Sequence, residues 1–341
     1  MSKLHVLLLY GGDSSEHEVS IQSARNVYAA LDNSRYTVSL CFIDKVGRWW
    51  LTPGVDGHHV GDPQLVPVLG HSQFITLPNN HAIRPDVVFP MLHGRNGEDG
   101  TVQGLLELMH IPYVGPDATS AAVAMNKDIT KRLLRDAGLP VVPWVTWRRH
   151  QTKPHYEALR NQLGDNMFVK PARAGSSVGV SKVSHANELG KALEAALLHD
   201  DLVLIEQAII GREIEVAVLG NDDPIVSVPG EIIPGSEFYD YDDKYSAESK
   251  ARIMAPADLP GPLKERFHDA ALKSYLAVGG HGMARVDFFL TVKEEIYIGE
   301  VNTIPGFTSI SLYPRLMHAS GMTYSALVDK LIYLATENKL K

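Results

Sequence analysis

RVDFFLTVKEEIYIGEVNTIPGFTSISL, residues 285–312, belongs to two apolar runs, Met283–Leu290 and Glu295–Val301, joined by a charged turn at Lys293 and Glu294. That pattern reads as a β-hairpin. Side chains alternate between the faces of a strand, so the first run sets Arg285 and Asp287 on one face and the second does the same for Glu300 and Asn302. When the strands pair, Asp287, Glu300 and Asn302 converge. Two carboxylates and an amide oxygen make a hard-oxygen set suited to Mg²⁺ that carries phosphates, and Arg285 beside them can hold a phosphoryl oxygen in its fork. The competing reading is a solvated hairpin with surface acids. Charges inside otherwise apolar runs favour the site, because buried charges require partners. The loop that follows, with Pro305, Gly306, Thr308, Ser309 and Ser311, can turn N–H and hydroxyl groups toward an anion.

The chain before the hairpin reads as α/β throughout. An apolar run at Lys3–Tyr10 ends in Gly11-Gly12, a helical pattern follows from about Glu16 to Leu31, and Val38–Ile43 is a second strand. Ser15 with Glu18 fits a capping box. Glu16 stands at the helix entrance beyond a strand end, where open α/β sheets bind ligands; stabilising the helix dipole is its alternative role. Residues 44–82 are rich in Gly, Pro and His and read as short strands and loops. Val87–Leu92 is a strand leading into HGRNGEDG, residues 93–100, a ligand-loop composition in which His93 either faces a ligand or caps the next helix, Thr101–Met109.

A boundary falls near 118–125. Asn126–Ala137 is helical, with a basic side of Lys127, Lys131, Arg132 and Arg135 whose default explanation is solvation. Strands are expected at Val141–Val145, Met167–Lys170, Leu202–Gln207, Glu213–Val218 and Val226–Ile232, and helices at 150–164, Ser184–His199, Leu263–Leu276 and Tyr324–Tyr333. PARAGSSVGVSKV, residues 171–183, lacks the ending of a Walker A loop but can close over phosphates, with Lys170 leading into it and Arg173 within it. Glu206 is read either as an edge-strand surface residue or as an acceptor for ribose hydroxyls. The alternation in 213–218 puts Glu213 and Glu215 together. GSEFYDYDDKYSAESK, residues 235–250, has no helix or strand period and reads as an aromatic active-site lid.

Composition narrows the class. With 341 residues and 45% hydrophobic content, the chain can bury two or three domain cores. The formal charge of −8, with no basic tail, argues against nucleic acid. Cys41 is the only cysteine, so neither a disulfide framework nor a thiolate zinc cluster is expected. No leader-like start or long apolar run appears, and a cytoplasmic protein without membrane association is expected. Late carboxylates, a Gly/Ser loop and lysines at strand ends together suit phosphoryl transfer from ATP.

The sequence resembles the D-alanine–D-alanine ligases of the ATP-grasp superfamily. Ordered matches run from LLYGGDSSEHEVS at 8–20 and MLHGRNGEDG at 91–100 through GLPVVPW, FVKPARAGSSVGVSKV and FYDYDDKYS to ARVDFFL and EVNTIPGFTSISL, across essentially the whole chain. The resemblance implies a mixed α/β fold: a Rossmann-like domain at 1–124 that binds the first D-alanine, then two ATP-grasp subdomains at 125–209 and 210–341. Lys127, Lys170, Ser177 and Lys244 match residues around the ATP phosphates, and Glu206 and Glu213 those around adenine and ribose. Asp287, Glu300 and Asn302 match ligands of two Mg²⁺ ions, with Mn²⁺ a substitute, and Arg285 matches the arginine at the transferring phosphoryl group. Glu16, Ser176 and Tyr245 match the set linking the lid to the first D-alanine, which His93 also adjoins. Gly306, Ser311 and Leu312 match the second D-alanine site. The same likeness implies a homodimer, an acyl-phosphate route to D-alanyl-D-alanine and a role in peptidoglycan precursor synthesis. Lys244-Tyr245-Ser246 matches the dipeptide-forming members and departs from D-alanine–D-lactate ligases. Ala174 stands where relatives often carry Glu, and Ile304 precedes Pro305 as a second departure.

Overall fold

The computed structural model describes residues 3–58, 60–233 and 252–337. The candidate lid, with Lys244 and Tyr245, lies outside these residues.

Three sheets organise the described residues. The first contains β1 (Leu4–Gly11), β2 (Tyr36–Ile43), β3 (Trp49–Thr52), β4 (Gln64–Val68), β5 (Gln73–Leu77), β6 (Ala82–Ile83) and β7 (Val87–Pro90), in the order β6-β5-β4-β3-β2-β1-β7. Only β2, β1 and β7 run parallel; residues 49–83 extend them as an antiparallel meander. Helix α1 (His17–Ala30) leads from β1 to β2, while β7 lies on the other side of β1, so β1 ends at a switch point of the parallel core. Glu16 caps α1 at that point, with no side-chain capping hydrogen bond. The expected Ser15–Glu18 capping box is not formed. Ser14 Oγ instead accepts the Glu16 N–H (3.1 Å) and donates to the His93 carbonyl (2.7 Å), while Glu18 pairs with Lys45 at 3.1 Å. Helices α2 (Thr101–Leu108) and α3 (Ala118–Met125) follow β7. The second occupies the stretch expected to be a boundary; Asp117 accepts the Ser120 N–H and starts it as a capped helix.

The second sheet has the order β10-β9-β11-β8, from β8 (Trp144–Arg148), β9 (Met167–Pro171), β10 (Ser181–Val183) and β11 (Leu202–Gln207). Helices α5 (Tyr156–Leu163) and α6 (Ala186–Leu197) cover one face of it, while α4 (Lys127–Asp136) precedes β8 and sends Leu134 into the core of the third sheet. β8 begins later than the expected Val141–Val145, because Val141 and Val142 pair with Ile298 of the third sheet. Pro154 shortens the expected 150–164 helix to α5.

The third sheet comprises β12 (Arg212–Leu219), β13 (Ile225–Val226), β14 (Gly230–Ile233), β15 (Arg252–Met254), β16 (Met283–Leu290) and β17 (Ile296–Asn302). The single strand expected at Val226–Ile232 is two strands, interrupted at Ser227–Pro229, where proline has no N–H for the ladder. Helix α7 (Gly261–Ala277) packs Leu263, Phe267 and Tyr275 onto the apolar face. Helices α8 (Leu312–Ala319) and α9 (Tyr324–Thr336) bind the first and third sheets into one core that holds Val6, Leu8, Tyr10, Phe307, Tyr313, Leu327 and Leu331. Burying each of these large side chains contributes about 1.5–3 kcal/mol. Asn26 Nδ2 donates to the Phe307 carbonyl at 3.1 Å and Tyr36 Oη to Asp329 at 2.8 Å, so α1 and β2 are tied to the end of the chain. Among the described residues, no helix is long and apolar enough to cross a membrane.

Candidate active site

The β16–β17 hairpin forms with Arg285 opposite Asn302 and Asp287 opposite Glu300. Strict alternation along β17 would put Glu300 on the face of Ile296 and Ile298, which are in the core. A bulge beside Asp287 makes the difference: Phe288 pairs with Ile298, leaving Gly299 as the extra residue. The face therefore switches at Gly299, so that Val301 enters the core while Glu300 and Asn302 join Asp287. A Cβ at Gly299 would stand 3.2 Å from the Phe289 ring, so the bulge suits glycine.

Arg285 holds this cluster together. Its guanidinium makes two 2.7 Å bonds to the Asp287 carboxylate, and Nε lies 2.8 Å from Glu215 Oε2. Burial opposes the charge, but Asp287 and Glu215 overcome it and hold the arginine pKa well above its usual value. Glu215 enters because it faces Asp287 across β12 and β16; alternation had grouped it with Glu213 without giving it a role. Asn302 Oδ1 is buried and has no hydrogen-bond partner among the described residues. A buried amide oxygen left open beside two carboxylates is the donor that a hard divalent cation would complete. Histidine, cysteine and carboxylate groups alone supply no three-ligand cluster among the described residues, so the amide is essential to any such set.

On the opposite wall the charges are reversed. Glu206 is only 4% exposed and lies on β11, which has neighbours on both sides, so it is not on an edge strand. Its carboxylate takes Lys170 Nζ at 2.7 Å and Lys131 Nζ at 3.2 Å. Despite burial, the two ammonium groups hold its pKa below the usual value. Lys131 is 1% exposed, which overturns the solvated-side reading for this residue. Lys127, one helical turn earlier, donates to the Ala174 carbonyl at 2.7 Å and lies 3.5 Å from Glu300 Oε2, linking the two walls. Arg173 is engaged elsewhere, in a two-pronged pair with Asp200 at 2.6 and 3.0 Å. A cavity of about 750 Å³ separates the walls; Lys127, Lys170, Ser177, Glu206, Glu213 and Glu300 line it. Phe168 and residues 207–210 add an apolar end, and Lys182 of β10 adds a cation that sequence reading did not single out.

At the cavity mouth Ser176 Oγ donates to Glu16 Oε1, so the 171–183 loop meets the first sheet. Ser176 and Ser177 both have positive φ, at 50° and 59°. A Cβ at Gly94 would approach Glu16 Oε2 to 2.7 Å and one at Gly175 to 3.0 Å, so two glycine backbones wall this carboxylate in. His93 is not a helix cap. It is 4% exposed, with Nε2 3.0 Å from Ser23 Oγ and Nδ1 3.2 Å from the Ile304 carbonyl. Burial alone would lower its pKa, but Glu98 at 3.5 Å reverses the direction and raises it. Glu98 is itself raised by burial. Phe307 N–H donates to Ser23 Oγ, fixing the 304–307 loop against the same helix.

Ser311 is the N-cap of α8 and Leu312 its first residue. The serine hydroxyl makes no cap bond; it accepts the Thr308 N–H at 3.0 Å and shares a 2.8 Å bond with Thr308 Oγ1. The helix start thus keeps N–H groups that side-chain capping does not take up, a setting that favours a carboxylate. A Cβ at Gly306 would stand 2.7 Å from Ser311 Oγ, so glycine lets the loop pass.

Comparison with known proteins supplies the context. Two family models match, described as D-ala D-ala ligase N-terminus over residues 5–116 and D-ala D-ala ligase C-terminus over residues 133–333. A relative named D-alanine–D-alanine ligase from Sodalis glossinidius is 49% identical, over 98% of this chain and 95% of its own. The structure of the D-alanine-D-alanine ligase from Coxiella burnetii superposes with a TM-score of 0.89 at 39% identity, covering 100% of this chain and 96% of that one. That of the VanG D-Ala:D-Ser ligase from Enterococcus faecalis gives 0.86 at 37% identity, covering 98% and 100%. With both terminal models matched in order and relatives aligned end to end, the chain belongs to the D-alanine–D-alanine ligase family.

Proposed function

We propose that the protein joins two D-alanine molecules into D-alanyl-D-alanine, converting ATP to ADP and phosphate, as a step of peptidoglycan precursor synthesis. The observation that carries this is the Ser176–Glu16 contact beside a cavity with lysines on one wall and the carboxylates of Glu215, Asp287 and Glu300 on the other. An amino-acid ammonium site thereby adjoins a polyphosphate site. The division into domains at 1–124, 125–209 and 210–341 follows the same reading, with ATP between the last two and the first D-alanine at the first.

ATP lies with its adenine against Phe168 and residues 207–210 and its ribose toward Glu213, with Glu206 behind that region. Lys127, Lys170, Ser177 and Lys244 attract its phosphates. Asp287, Glu300 and Asn302 would hold two Mg²⁺ ions, or Mn²⁺ in their place; the buried Asn302 oxygen, without a hydrogen-bond partner among the described residues, supports this. When bound, the metal would offset the charge of the phosphates.

Glu16 takes the ammonium of the first D-alanine, oriented by Ser176 and Tyr245, with His93 beside it. The D-alanine carboxylate attacks the γ-phosphorus: a new O–P bond forms, the bond to the β-phosphate oxygen breaks, and ADP leaves. The resulting acyl phosphate has a phosphate leaving group in place of oxide. The second D-alanine, its carboxylate at Ser311 and the Leu312 N–H, attacks that carbonyl through its neutral amine. Arg285 and the Gly306 loop offset the tetrahedral oxyanion, which collapses to the amide as phosphate leaves and takes up the proton that the amine gives up. Cys41 takes no part: it is fully buried, and burial pushes its thiol pKa up.

The two matching family models, both described as D-ala D-ala ligase, support D-alanine as second substrate. The protein acts in the cytoplasm as a homodimer. Trapping tests the route: hydroxylamine added with ATP and D-alanine converts an acyl phosphate into D-alanine hydroxamate. Hydroxamate formed in step with ADP is expected. ADP release with no hydroxamate and no dipeptide would overturn the acyl-phosphate step.

A further inference from the structure

Lys131 is the most deeply placed charge near the cavity, yet it does not line it. Its ammonium donates to the Val142 carbonyl at 3.1 Å and sits 5.7 Å over the Trp144 ring. The same ring carries Arg135 at 5.2 Å, and its Nε1 donates to Asp128 at 2.9 Å. Aromatic, carbonyl and carboxylate thus surround the lysine. Burying an ammonium group carries a large desolvation cost, and a leucine or methionine would fill the space without it. The charged partner through which Lys131 reaches the cavity is Glu206, at 3.2 Å.

Glu206 is shared with Lys170, which does line the cavity. One carboxylate between two ammonium groups leaves a net single positive charge. Without Lys131, Glu206 and Lys170 would neutralise each other, and the wall facing the phosphates would lose its net charge at this point. We propose that Lys131 is a positioning residue for nucleotide: it occupies Glu206 so that Lys170 keeps its positive charge available to the ATP phosphates. This rests on the reading of Lys170 as a phosphate contact, and Lys131 itself touches no reacting atom.

The test is the affinity for ATP and for adenosine, measured by calorimetry on wild type, Lys131→Met and the double variant Lys131→Met/Glu206→Gln. Adenosine lacks phosphates, so the ratio of the two affinities cancels contacts to the base and losses of folded protein. Lys131→Met is expected to lower the ATP-to-adenosine preference at least tenfold. Removing the Glu206 charge as well frees Lys170 and is expected to return the preference to within threefold of wild type. Equal loss for both ligands, no loss at all, or a double variant as poor as the single one would overturn the proposal. Should the single variant not fold, the double variant still decides: a wild-type-like preference supports the relay and a tenfold drop overturns it. A wild type that does not prefer ATP over adenosine would sink the phosphate-site reading instead.

Discussion

Two charge clusters face each other across the cavity with opposite composition. At one, a cation, Arg285, lies between the carboxylates of Asp287 and Glu215. At the other, an anion, Glu206, lies between Lys170 and Lys131. Each central charge is outnumbered, so each cluster presents the sign of its outer members: negative where a divalent cation is proposed, positive where the phosphates are proposed. The central ion makes it possible to hold two like charges close in a poorly hydrated wall. Removing the centre should therefore be costlier than removing an outer member.

The sharpest way to break this comparison is at Arg285. Arg285→Met is expected to lower kcat by about a thousandfold, since the group is proposed to offset charge that develops during reaction. It should also destabilise the fold by about 3–5 kcal/mol, because Asp287 and Glu215 lose the buried cation they share. Adding Asp287→Asn should recover part of the stability and none of the rate. Denaturant midpoints and steady-state rates separate the two effects; full rate in Arg285→Met would end the role assigned to it.

Lys131 gives the next largest effect, and it depends on pH. Burial lowers its pKa from 10.5 to about 8. Between those values the unfolded chain binds the proton more tightly than the folded one, so raising pH favours the folded state. The cost of burying this charge is present in full below pH 8 and gone by about pH 10.5. The stability of wild type relative to Lys131→Met should thus rise by about 3 kcal/mol across that window. A difference that stays flat with pH would show that the ammonium keeps its ordinary pKa.

Smaller still is the effect at Asn302. Its oxygen has no hydrogen-bond partner among the described residues, so Asn302→Leu should leave the melting temperature without ligands unchanged or slightly raised. The Mg²⁺ concentration for half-maximal rate should rise about tenfold, roughly 1.4 kcal/mol. A clear drop in melting temperature would point to a structural role for the amide.

The hairpin cluster could be read from sequence because Arg285, Asp287, Glu300 and Asn302 interrupt apolar strands, where a charge needs a reason. The bulge at Gly299 could not: one extra residue is a matter of strand pairing and leaves no local pattern beyond the glycine. The lysine cluster stayed hidden for another reason. Lys131 sits among other cations on a helix, and a helical pattern does not say which side a neighbouring sheet will cover. Glu206 looked like an edge residue because strand order is not written in a strand. The break at Pro229 was carried by a visible proline, whereas α3 was hidden in a run of small residues that resembles a linker until Asp117 is seen to cap it.

The central proposal is that ATP and two D-alanine molecules bind at adjoining sites. The most direct measurement is product identification with ADP release, offering D-alanine, D-serine, D-lactate and L-alanine singly and in pairs. D-alanine alone should give D-alanyl-D-alanine and ADP in equal amounts, and pairing it with D-serine should not displace that product. ADP release without the dipeptide, or a mixed D-alanine–D-serine product formed in preference, would contradict the assignment of Glu16 and Ser311 to the two D-alanine molecules.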